Sequence, residues 1–234
     1  MQKSEFKNLI TKGEIAREKK DYKTALACFD EAMLVSGKHN LWANFIEALG
    51  HKIVIDKHFW WETKDKGFLE LMRADVELGL GISKLKKLPP RYLAVFQLRM
   101  GDVLTEEKNF KESVKWYLWA VRSLKGTPKN AGYGEYLGHY GKGLVLANKE
   151  KKAKNVLLKS LNLIRKDKNL RHFHRLILES GVISWLALAI KKEDSRKSEE
   201  LFSEAFAMGR ELKNKYKMSM RLKQMEVMKK EFEF

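Results

Sequence analysis

The chain has 234 residues, 44% hydrophobic and 11% aromatic, with a formal net charge of +17. That length fits one large domain or two small ones, and that apolar share is enough for a packed core, which excludes an intrinsically disordered chain. A single cysteine, Cys28, excludes an internal disulfide framework and a cysteine-based zinc site.

Only three prolines occur, Pro89, Pro90 and Pro128, so long stretches are free of helix breakers. Apolar residues recur at spacings of three and four almost throughout, which predicts helices over 6–18, 22–36, 41–60, 67–86, 91–107, 111–124, 134–147, 150–166, 170–191, 195–212 and 215–231. No segment alternates with the period of a strand. Turn signals separate the helices at Ser36-Gly37-Lys38-His39-Asn40, Pro89-Pro90, Gly126-Thr127-Pro128-Lys129-Asn130 and Lys166-Asp167-Lys168-Asn169. Short connectors make neighbours antiparallel, giving hairpins at 6–36, 41–86, 91–124, 134–166 and 170–212 within a single helical domain over 1–234. The segment 215–231 places Met218, Leu222, Met225 and Met228 on one face. It is expected to cap the last hairpin, or else to offer an adaptable docking surface. Met1 to Glu18 carries no apolar leader, and the apolar run Val182 to Ile190 is interrupted by Ser184 and short for a membrane span. A cytoplasmic chain without integral membrane association is the expectation.

The hairpins repeat. Gly13 stands twelve residues before Ala25, Gly101 before Ser113, and Gly141 before Ala153. Four residues on come Phe29, Tyr117 and Leu157, and three further on come Ala32, Ala120 and Ser160. A glycine lets two helices cross closely, and the large residue fills the space between the small ones. Further copies are placed at Ser198-Phe202-Ala205 and, in degenerate form, at Ala74-Leu78-Gly81. With Lys19-Lys20-Asp21-Tyr22-Lys23-Thr24-Ala25 and Glu107-Lys108-Asn109-Phe110-Lys111-Glu112-Ser113 at the turns, the chain resembles the tetratricopeptide repeat family. The spacing of the copies, 49, 39, 40 and 45 residues, is longer than the usual repeat of about 34. The resemblance implies an all-α, right-handed solenoid of helix hairpins with a C-terminal capping helix.

It also implies a concave groove, lined by the first helix of each hairpin, that takes a peptide. By the repeat alignment the groove carries Glu14, Arg17 and Glu18, then Arg99, Asp102 and Glu106, then Glu135, His139 and Lys142. The family's carboxylate clamp is not expected, because Ile10 and Glu14 stand where it needs lysine and asparagine. The run His58-Phe59-Trp60-Trp61 cannot face one core from one helix, so at least one ring is expected at a helix end or exposed, with Trp60 and Trp61 as candidate anchors. Trp116, Tyr117 and Trp119 are assigned to the core.

No catalytic constellation is present. Gly138-His139-Tyr140-Gly141-Lys142-Gly143 lacks the spacing and the hydroxyl of a phosphate-binding loop. Glu47, His51 and His58 share a helix face, but chance spacing accounts for them; no metal and no cofactor are expected. The reading is therefore a scaffold for a protein or peptide partner, acidic if the charge is used, with homo-oligomers allowed. Positive charge is concentrated at +4 over 91–130 and +6 over 131–170. That opens an alternative, nucleic-acid binding through Lys149, Lys151, Lys152 and Lys154, with Tyr133, Tyr136 and Tyr140 as stacking platforms.

Overall fold

A computed structural model describes residues 3–234. Among the described residues all regular secondary structure is helical, in eleven helices. These are α1 (Lys3–Glu18), α2 (Tyr22–Lys38), α3 (Trp42–Thr63), α4 (Lys66–Leu85), α5 (Pro90–Glu106), α6 (Phe110–Ser123), α7 (Ala131–Leu146), α8 (Glu150–Lys166), α9 (His172–Ile190), α10 (Ser195–Tyr216) and α11 (Met220–Glu231). Two compact units divide them, the first ending at Leu124 and the second spanning Lys125–Phe234.

The connectors share one chemistry. Lys20, Asn40, Lys64, Lys87, Lys108, Asn148 and Lys217 all sit at positive φ just past a helix. After most of them the next amide reaches back over the helix end, as Asp21 to the Ala16 carbonyl at 2.9 Å, Asn109 to Leu104 at 2.8 Å and Lys149 to Leu144 at 2.9 Å. This left-handed stop satisfies carbonyls that the helix leaves open. It turns the chain through a hairpin without glycine. Helix starts are fixed by side-chain caps at Asp21, Asn130 and Asp194, and by Pro90 in the first turn of α5.

In the first unit each helix packs on the next, and alternate helices also meet, α1 on α3 and α3 on α5. One core cluster joins Phe6, Ile10, Ala25, Phe29, Ala48 and Ile55 from α1 to α3; a second joins Ile46, Ile53, Met72, Val76, Phe96 and Val103 from α3 to α5. A Cβ at Gly50 would lie 2.9 Å from Val95, which shows how closely α3 and α5 cross.

The repeated glycines behave as their spacing predicts. A Cβ would fall 2.5 Å from the ring of Phe29 at Gly13, 2.5 Å from Tyr117 at Gly101, and 2.5 Å from Leu157 at Gly141. In the degenerate copy the register differs. Leu78 is 48% exposed and Ala74 and Gly81 face solvent, while Met72, Val76, Gly79 and Ser83 are buried. The buried set begins two residues earlier, and the ring of Phe96 fills the space over Gly79.

In the second unit α7 pairs with α8, α8 with α9 and α9 with α10, and α7 also meets α9. The Ser160 hydroxyl donates to the Gly134 carbonyl at 2.6 Å, and Ser198 to Ala187 at 2.8 Å, so the small positions also tie each hairpin by a hydrogen bond. Helix α10 runs four residues beyond its expected end, to Tyr216, before the left-handed Lys217 stops it. Helix α11 then packs on α10 and α9, burying Met220, Leu222 and Met225. Helix α9 has the length and apolarity to cross a membrane, with an 18-residue window of mean hydropathy 1.4, and 56% of that window is buried inside the protein.

Candidate functional site

On the first unit α1, α3 and α5 carry a continuous ribbon of charged and aromatic side chains. The Arg17 guanidinium pairs with Glu18 at 2.9 Å and lies 3.4 Å from the His51 ring nitrogen, which in turn is 3.9 Å from Glu14. His51 stacks on Phe29, with ring planes 13° apart. Further along α3, Tyr22 from α2 lies between His58 and Phe59, and its phenol is pushed well above the usual range, first by burial and then by Glu62 and Glu18. The stacked pair His58 and Trp61 follows, with Lys57 4.8 Å over the Trp61 ring.

The ribbon is anchored on Asp102. Its carboxylate is fully buried, meets Lys57 at 3.1 Å and Arg99 at 3.1 Å, and accepts the Tyr117 hydroxyl at 2.9 Å. Thr105 lies 3.1 Å from the same hydroxyl. A carboxylate inside a core is tolerable only with such a set of donors. The knot fixes α3, α5 and α6 to one another and sets the direction of the ribbon. It also pushes the Tyr117 hydroxyl far above its usual range, chiefly by burial and then by the Asp102 charge. Next to it the Trp60 indole donates to Glu106 at 3.1 Å, and Lys64 stands 5.3 Å from the Trp60 ring.

Of the residues expected to line a groove, Arg17, Trp60, Trp61, Arg99, Asp102 and Glu106 thus belong to one ribbon of the first unit. Asp102 is a buried strut within it and presents no surface to a partner, a correction to its assignment as a contact residue. In the aromatic run His58 is buried and Phe59, Trp60 and Trp61 are half-buried, with Trp60 and Trp61 in the last turn of α3, the helix end expected for at least one ring. Tyr22 of α2 lies tilted against His58 and Phe59, and Phe68 of α4 stacks on Phe59 at 5.0 Å. Conversely Trp119 is 40% exposed, edge-on to Trp116 at 5.0 Å, although its spacing had assigned it to the core. Tyr117 alone takes the central place in α6. His51 and Lys57 were not among the expected site residues. Helix α3 lacks the glycine pattern that set the alignment; the legible signal was Lys57 and Trp61 at a spacing of four on one helix face.

In the second unit Glu135, His139 and Lys142 lie on α7, all half-buried, and the Lys142 ammonium is 5.6 Å from the Trp185 ring of α9. Part of the basic tract of α8 has partners within the fold. Lys154 pairs with Glu193 at 2.7 Å, Lys152 stands over Tyr140 at 5.8 Å, and Glu150 of the same turn pairs with Lys192 at 2.9 Å. Lys149, Lys151 and Lys152 are exposed. Tyr140 is 5% exposed and cannot serve as a stacking platform, and Lys129 sits 3.5 Å over the Tyr133 ring. Cys28 is buried, and burial pushes its thiol up. Among the described residues no three His, Cys, Asp or Glu side chains converge as metal ligands.

Comparison with family models, curated proteins and solved structures returned no match.

Proposed function

We propose that this chain is a non-catalytic scaffold of the tetratricopeptide type. In this reading its hairpins form a right-handed solenoid, and a protein or peptide partner lies along the first helices. The observation that carries the reading is the ribbon on α1, α3 and α5. It joins half-buried tryptophans and ion pairs on three helices held in register by the Asp102 knot. Half-buried aromatic rings fixed by packing lose little entropy when a partner covers them, and tryptophan and arginine supply most of the energy at such surfaces. The close crossings at Gly50 and Gly138 support the solenoid, since they let α3 touch α5 and α7 touch α9 within their own units.

The partner would be sought by affinity capture from lysate at low and high salt, with and without nuclease, and then titrated against purified variants. The expected outcome is a defined protein that survives nuclease and salt. Trp60→Ala or Arg17→Ala should weaken its binding about tenfold or more, while Lys151→Glu should leave it unchanged. Recovery of nucleic acid that disappears in modest salt would sink the ribbon and favour the basic 91–170 stretch. That second reading is the weaker one, because Lys154 already pairs with Glu193 and Tyr140 is buried.

A further inference from the structure

Helix α4 contributes nothing to that ribbon, yet it carries an outward face with no function in the fold. Leu71, Leu78 and Leu85 recur every seven residues and are 51%, 48% and 76% exposed. Gly67, Ala74 and Gly81 recur every seven residues between them and are all exposed. The buried face of the helix, Met72, Val76, Gly79 and Ser83, points elsewhere. A sevenfold repeat of leucine and small residues is the pattern of a helix seam closed by a second helix.

Gly81 is the decisive residue. Glycine inside a helix is costly relative to alanine, and the fold gives no return for it here. A Cβ at Gly81 would meet nothing within 4 Å, whereas at Gly13, Gly79, Gly101 and Gly141 it would strike a large side chain of the neighbouring helix. The same close approach is therefore expected at Gly81 from something outside the chain.

We propose that the occupant is α4 of a second copy, antiparallel about a two-fold axis. Antiparallel pairing sets each leucine of one copy against a small residue of the other. Leu71 faces Gly81, Leu78 faces Ala74 and Leu85 faces Gly67, with the same three layers repeated by symmetry. All six residues of the stripe are used, and none is left over. Parallel pairing would instead set leucine on leucine and leave gaps at the glycines. One flank agrees in charge: the same register brings Glu70 beside Lys84 of the other copy, twice. Glu77 meets its own symmetry mate across the axis, which holds the affinity down. Three leucines from each copy make a small interface, so the dimer forms in the micromolar range and not below.

The test is sedimentation velocity on the full chain from about 1 to 200 µM. The expected result is a monomer–dimer equilibrium that Leu78→Glu abolishes, with helicity by circular dichroism unchanged, and that Glu77→Gln tightens severalfold. Gly81→Leu separates this account from a merely exposed helix face. It should raise the melting temperature of the monomer, because leucine is the better helix former and meets no obstacle, yet weaken dimerisation tenfold or more. Orientation is read by oxidation, with wild type as control for Cys28. Glu77→Cys should cross-link to its own copy and Leu85→Cys should not. A chain that stays monomeric at 200 µM overturns the proposal and leaves the stripe to a different partner. A dimer that tolerates Leu78→Glu and Gly81→Leu overturns the interface, and cross-linking through Leu85→Cys in place of Glu77→Cys overturns the antiparallel register.

Discussion

At Gly101 and Tyr117 one contact does two jobs. The absent Cβ makes room for the ring, and the ring carries the hydroxyl that reaches Asp102. Gly101→Ala should destabilise by about 1–3 kcal/mol through overpacking, measured by urea melts with an unchanged slope. Tyr117→Phe keeps the ring but removes a donor from a buried carboxylate, and should cost about 1–3 kcal/mol in the same assay. Asp56 is a different case. It is buried on α3, and one of its carboxylate oxygens has no hydrogen-bond partner. Burial pushes it up to about 6, Lys52 opposes the shift, and Asp75 and Asp30 add to it. A carboxyl raised in the folded state holds its proton there while the unfolded chain has released it. Stability from this group is therefore full below about pH 4 and is lost as pH rises toward 6, by something of the order of 2–3 kcal/mol. Asp56→Asn should flatten that window and be the more stable form at pH 8, as urea melts at pH 5 and pH 8 would show.

At the scale of elements, helix order and most boundaries were legible, because amphipathic periodicity and turn residues act locally. The three glycine–large–small sets were legible for the same reason: spacings of twelve, four and three place those residues on facing sides of one hairpin. The degenerate copy at 72–79 was not, since Ala74-Leu78-Gly81 fits the same spacing as Met72-Val76-Gly79. Only the packing of Phe96 over Gly79 decides which set faces inward. The hairpin stops were hidden too, because lysine does not announce a left-handed residue. Lys108 sits at φ 61°, where an L side chain costs about 1 kcal/mol or more and glycine does not. Lys108→Gly should therefore raise stability by about 0.5–1 kcal/mol after its unfolded-state entropy is counted, read as a higher melting temperature.

At the scale of the whole molecule, the first unit contains its own core clusters and its own ribbon, all within residues 3–124. Residues 1–124 expressed alone should melt cooperatively and be fully helical; a non-cooperative, dye-binding state would show that this unit is not self-sufficient. The sequence by itself determined the helical class, the order of helices and the hairpin contacts of three glycines. These follow from periodicity and spacing, which operate over a dozen residues or fewer. The tertiary structure alone decided that Lys57, from α3, would meet Asp102 on α5, that Tyr140 would be buried and Trp119 exposed, and that Leu71, Leu78 and Leu85 would face outward. Those outcomes depend on which surface of each helix its neighbours cover, and nothing within a single helix specifies that.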